Sequence, residues 1–320
     1  MSKTKKLKSK EYWEKREALL AENFTYQTDF TFKRIRTVYK WAMKEIEREI
    51  LVWESRKEKI LKESPEFRFS ELKTLQDLKE STRLVLEEMY KVESRALSDS
   101  LDQLFVKDLV DMEALDKQYT AYKKKLEQAQ DTPISLAIQA QANYPQNLPY
   151  VEEVLKNPVQ AQTLSQNIWY VGYAGIDYKS RINQRAKMIQ GELEDIFTQS
   201  FIRGESYGQT AKRVMERLNV SYSHAKRLVQ TELRMCEVKA NCEHAKRLGF
   251  KYKKRKTVKD ARVCKKCQEL EGRVYLISDL EKNPYLAIAH PNERCYLVEI
   301  SDMKGEHLFA KQKNYLYLNP

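Results

Sequence analysis

Residues 257–297 read TVKDARVCKKCQELEGRVYLISDLEKNPYLAIAHPNERCYL, and this stretch sets the character of the C-terminal part of the chain. Asp260, Cys264, Cys267, Leu270 and Gly272 form the cluster D-x3-C-x2-C-x2-L-x-G, and His290, Pro291, Arg294 and Cys295 follow. Cys264 and Cys267 have the spacing of a zinc knuckle. His290 and Cys295 supply two further ligands of suitable type, so Cys264, Cys267, His290 and Cys295 can close a tetrahedral site. Four protein ligands make a closed, structural Zn²⁺ site rather than a catalytic one. Such a metal contributes folding free energy to a loop-rich region without a large core. The competing reading is a pair of buried cysteines in a turn, with His290 fixing a loop by hydrogen bonds.

A basic run leads into this stretch. Lys246, Arg247, Lys251, Lys253, Lys254, Arg255, Lys256, Lys259, Arg262, Lys265 and Lys266 place eleven cations in twenty-one residues, opposed only by Asp260. Charge runs are often just solvated faces. The run is interrupted by Phe250 and Tyr252, and its cations from Lys251 to Lys266 also form a surface suited to the phosphate backbone of double-stranded DNA. Binding of that kind is non-specific in sequence and weakened by salt.

Outward from there, glycine placement divides the chain. All eight glycines lie at or after Gly172. Glycine weakens a helix interior by about 1 kcal/mol relative to alanine, so a glycine-free half rich in Lys, Glu, Leu and Gln reads as helix. Phe32, Ile35, Val38, Ala42, Ile46, Ile50 and Trp53 recur every three or four residues in a first block from Ser9 to Glu63, which Pro65 ends. A second begins near Ser70, and the Ser98-Asp99-Ser100 triplet is expected to break it. Two or three antiparallel helices packing these stripes together are the simplest arrangement.

Residues 131–179 carry four prolines and the aromatic group Trp169, Tyr170 and Tyr173, and read as a linker. Helices are expected over 180–202, from Ser206 or Tyr207 to Leu218, and from a cap at Ser221–Ser223 to Leu248, with Gly249 terminating the last. Cys236 and Cys242 on that helix read as small core residues. The expected fold class is therefore a mostly α N-terminal region of long antiparallel helices followed by a smaller α+β C-terminal domain with a candidate zinc knuckle. The expected division is 1–130 as basic tail and helical scaffold, 131–179 as linker, and 180–320 as the C-terminal domain.

The totals limit the function classes. The chain has 320 residues, a net charge of +12 and 32% charged residues, which favours elongated helices and an acidic partner. No apolar run is long enough to span a membrane, and the lysine-rich start lacks the apolar core of a secretory signal. Five cysteines, an odd number confined to 236–295, argue for a reducing compartment rather than a disulfide framework.

From about Lys187 to Leu297 the sequence resembles the C-terminal domain of phage Mu F-like minor head proteins, the head morphogenesis family of tailed bacteriophages. The resemblance rests on Arg227 and Thr231-Glu232 in a helix, Gly249-Phe250 after it, a basic strand, the D-x3-C-x2-C-x2-L-x-G cluster, and His290-Pro291 with Arg294-Cys295. Tyr12 to Arg16 also looks like the opening of such proteins in phages of Gram-positive hosts. The family often ends its motif H-P-x-C-R-C, whereas Glu293 stands here where a cysteine is common. The resemblance implies a non-enzymatic virion component inside the procapsid, assembled in the host cytoplasm, with the portal protein, other procapsid proteins and packaged DNA as partners. The competing classes are a metal-dependent nuclease of the packaging machinery, using His290, and a cytosolic DNA-binding regulator. No P-loop, G-x-S-x-G or H-E-x-x-H motif is present.

Overall fold

The computed structural model describes residues 10–63, 68–128, 176–258, 263–290, 293 and 295–300. The expected basic tail up to residue 9, Pro65, and the linker with Trp169, Tyr170 and Tyr173 lie outside the described residues. Four long helices come first: α1 (Lys10–Glu63), α2 (Arg68–Gln128), α3 (Tyr178–Arg203) and α4 (Tyr207–Arg247). A smaller α+β part follows: β1 (Tyr252–Lys256), α5 (Lys265–Glu269), β2 (Val274–Leu276), α6 (Ile277–Lys282), a 3-10 turn (Pro284–Ala287) and β3 (Tyr296–Ile300). The expected fold class is thus the observed one.

Two expected helix boundaries are absent. α2 runs through Ser98–Ser100 unbroken, because Leu97 and Leu101 are fully buried on one face and Asp99 accepts a hydrogen bond from Arg34 at 3.0 Å. α4 likewise passes through Ser221 instead of starting there. Ser221 is a fully buried polar residue bonded at 3.1 Å to Tyr39 and 2.9 Å to Tyr90, not a cap. Gly249 does end α4, with φ of 74°, a left-handed conformation that glycine adopts without a Cβ penalty.

The described residues cluster into two compact units, neither of them a contiguous stretch. The units draw on both sides of the linear boundary expected from sequence. One contains 29–99 and 176–229, a bundle of four helix segments. In it α1 and α2 run antiparallel, as the pairs Arg34–Asp99, Tyr39–Glu93 and Arg56–Asp77 show. Its core carries a buried polar cluster to which all four helices contribute. Glu93 of α2 accepts from Arg185 of α3 and from Tyr39 of α1 (3.0 Å), and Tyr39 and Tyr90 meet Ser221 of α4.

The other unit contains 10–28, 100–128 and 230–300. The sheet order is β2-β1-β3, all antiparallel, with Lys254 opposite Val274 on one side and Val298 on the other. Its apolar core joins Val238, Cys242 and Ala245 of α4, and Leu248 just after it, to Tyr275, Ile277, Leu280 and Leu297. Cys236 and Cys242 are buried, as expected of small core residues.

Candidate metal centre and basic strand

Cys264 is the N-cap of α5, with its side chain accepting the Cys267 N–H at 3.4 Å. A single short turn therefore brings Cys264 and Cys267 together, which is what the C-x2-C spacing requires. His290, after the 3-10 turn, places Nε2 at 3.3 Å from both sulfurs. Among the described residues, these three form the one group of His, Cys or acidic side chains whose ligand atoms all lie within 4.8 Å of one another. Tetrahedral zinc with Zn–S of about 2.3 Å and Zn–N of about 2.0 Å puts neighbouring ligand atoms roughly 3.5 Å apart, so the observed spacings fit.

The environment of the two thiols differs. The Cys267 N–H holds Cys264 below the usual thiol range, with help from His290. Burial pushes Cys267 up to about 12, and the neighbouring Cys295 adds to that. A bound cation reverses the second shift, because a coordinating thiol gives up its proton. Cys295, the fourth expected ligand, is buried against Cys267, Leu270 and Ala289 but is not one of the three clustered ligands. Cys264 is exposed and His290 half-buried, so the centre lies at the surface.

The basic run is divided by the pleat. Strand side chains alternate between faces, and β1 buries Lys253 and Arg255 while Tyr252, Lys254 and Lys256 are half-buried on the other face. Lys253 is fully buried, 2.8 Å from Glu299 of β3 and bonded to Asn241 of α4. Arg16 of α1 reaches the same groups, at 2.7 Å from Glu299 and 2.8 Å from Asn241. Arg255 is 1% exposed, bonded to the Ala287 carbonyl and 2.9 Å from Glu293. Neither inward cation is presented to solvent, which removes Lys253 and Arg255 from the expected phosphate-binding face.

Lys251 and Lys265 are exposed, and Lys254, Lys256 and Lys266 half-buried. Lys256 also lies 3.6 Å from Glu271. Lys259, Asp260 and Arg262 lie outside the described residues, as do Pro291 and Arg294. Upstream, Lys246 pairs with Glu281 at 2.7 Å and Arg247 with Glu243 at 2.9 Å.

Glu293, noted from sequence only as a departure, turns out to hold the Arg255 guanidinium and to accept the Ala289 N–H at 2.6 Å. It fastens the turn before His290 to the central strand. The role of Arg16 had no signal in local sequence, since its partner Glu299 is 283 residues away. Glu232 is buried and accepts from Tyr285 at 2.8 Å, which ties α4 to the 3-10 turn and fits a structural role.

These features define a class: a helical protein with a small α+β module whose loops converge on a Cys2His cluster. Residues 191–298 match the family described as Phage Mu protein F like protein. That span holds the second half of α3, all of α4 and nearly all of the sheet, about a third of the chain, and places this part among phage-related sequences. No curated protein and no solved structure matches the chain. No helix among the described residues is long and apolar enough to cross a membrane.

Proposed function

We propose that the chain is a non-enzymatic minor head protein of a tailed phage or prophage, held in the procapsid by the portal protein and neighbouring procapsid proteins. Its helices serve as the docking scaffold. Its outward lysines, Lys251, Lys254, Lys256, Lys265 and Lys266, hold double-stranded DNA by the backbone during head morphogenesis, packaging or ejection. The observation that carries this reading is the coincidence of the family match with the module containing both the Cys2His cluster and those lysines. Cys264, Cys267 and His290 would hold a structural Zn²⁺, with Cys295 beside Cys267 as the fourth ligand. The ion would clamp α5 to the turn at His290 and so shape the basic face.

Two measurements test this. Mass spectrometry of purified virions should find the chain, and its absence there would sink the virion assignment. Duplex affinity should fall steeply from low to moderate salt; a flat dependence would show that phosphate contacts do not drive binding.

The three-ligand cluster favours one competing reading, because catalytic zinc sites keep three protein ligands and an open fourth position. On that reading the protein is a metal-dependent nuclease, and incubation with plasmid and Mg²⁺ or Mn²⁺ separates the two. Cleavage abolished by His290→Ala would establish the enzyme and overturn the binding-only proposal.

A further inference from the structure

We propose that the cleft between the first turns of α1 and the middle of α4 is a pocket for one unstacked nucleobase. The proposal rests on the nucleic-acid reading above for its choice of partner. The cleft has a volume of about 440 Å³, inside the usual range of small-ligand sites, about 300–1,000 Å³. Its size admits a single base but not a stacked duplex.

The walls supply both halves of base recognition. Trp13 and Phe24 on α1 and Tyr296 at the start of β3 offer aromatic surface, on which any base can stack because every base has a π-face. Arg234 of α4 offers the polar edge. It is 8% exposed, its guanidinium carbon lies 5.8 Å from the centre of the Phe24 ring, and one end of its fork is bonded to Glu237. Its Nε is buried with no hydrogen-bond partner among the described residues. A buried N–H left unpaired is costly, and a guanidinium edge matches the ring-nitrogen and carbonyl acceptors of a base.

Charge selects against other ligands. The cleft's cations have carboxylate partners: Arg16 has Glu299 and Arg234 has Glu237, while Glu293 has Arg255. Among the described residues that line the cleft, no cation is left over to desolvate a phosphate, so a flat neutral group belongs inside and the phosphodiester outside. A phenyl side chain from a protein partner would fill the space but give Arg234 no acceptor.

The test is ultraviolet cross-linking of the full-length protein to a short single-stranded oligonucleotide, with the attachment site mapped by mass spectrometry. Attachment at Trp13, Phe24 or Tyr296 is expected. Phe24→Ala should weaken single-strand binding about tenfold, the scale of one lost stacking contact, and leave duplex binding unchanged, with a lower melting temperature because the half-buried ring packs against Arg234. Arg234→Lys, which keeps a cation for Glu237 but loses the planar fork, should weaken it as well. Competition by deoxyguanosine monophosphate would mark free nucleotides as the source of the base, and failure to compete would mark the strand; both keep the pocket. Cross-links confined to other surfaces overturn the proposal whether or not the variants fold. So does unchanged single-strand affinity in folded Phe24→Ala. Loss of duplex binding alone, with cleft cross-links retained, would instead remove the backbone-binding reading and leave this one standing.

Discussion

Glu299 accepts charge-assisted hydrogen bonds from two buried cations, Arg16 and Lys253, with side chains 3% and 0% exposed. Burial alone would raise its pKa, but Arg16 and Lys253 overcome that and hold it down to about 2. Removing this charge would leave two cations facing one another without an anion, and breaking a buried ion pair typically costs about 3–5 kcal/mol. Glu299→Gln is therefore expected to lower stability on that scale, read as a shift in the urea midpoint. A shift below about 1 kcal/mol, no more than an exposed pair is worth, would show that the cluster is solvated in solution.

Nearby, His244 Nε2 lies 3.0 Å from the Asp116 carboxylate, yet burial and then Arg16 pull its pKa down to about 4. The imidazole is neutral near pH 7. In the unfolded chain it titrates near 6.5, so the unfolded state binds the proton first. Stability is fully present above about 6.5 and is lost as pH falls toward about 4, by roughly 3 kcal/mol from linkage. Unfolding measured across that window should show the loss, and His244→Gln should flatten it.

At the scale of elements, β1 makes the sharpest separable claim. Its five residues, YKKRK, carry four cations, and alternation sends two inward and leaves two on the outer face. Lys254→Gln with Lys256→Gln should reduce duplex affinity and flatten the salt dependence by up to about two phosphate contacts' worth, with little change in melting. Lys253→Gln with Arg255→Gln should do the reverse, destabilising the module. Equal effects of both pairs on DNA binding would mean that the pleat does not divide the run.

The same strand shows what sequence could and could not carry. The apolar spacing from Ile35 to Trp53 and the Gly249 terminator were legible because helix period and left-handed glycine are local properties. Cys264, Cys267 and His290 were legible because short spacing and ligand chemistry travel together. The burial of Lys253 and Arg255 was not, since it depends on Glu299, Glu293 and Asn241, which only the tertiary fold delivers. Ser221 and Ser100 misled for a related reason. Serine favours caps when exposed, but both are fully buried inside continuous helices, where packing overrides propensity.

For the whole molecule, the family match and the folding unit do not coincide. The match spans 191–298, whereas the unit that holds the sheet also includes 10–28 and 100–128. Arg16 supplies a counter-charge for Glu299, and Asp116 bonds both Tyr12 at 2.5 Å and His244 at 3.0 Å. The Leu101 carbonyl accepts from Cys236 at 3.3 Å. A fragment of 191–300 would keep the Cys2His cluster but expose the α4 face that these residues cover and leave Lys253 and Glu299 without Arg16. Zinc bound at Cys264, Cys267 and His290 would act locally, clamping a loop, and would not replace that helical contact. The fragment is expected to bind about one zinc per chain yet to unfold without a cooperative transition, whereas the full chain unfolds cooperatively and loses part of its stability on chelation. Calorimetry of both, with and without a chelator, checks this. A sharp, chelator-sensitive melt from the fragment would show that the matched segment folds alone and that the N-terminal helices only pack against it.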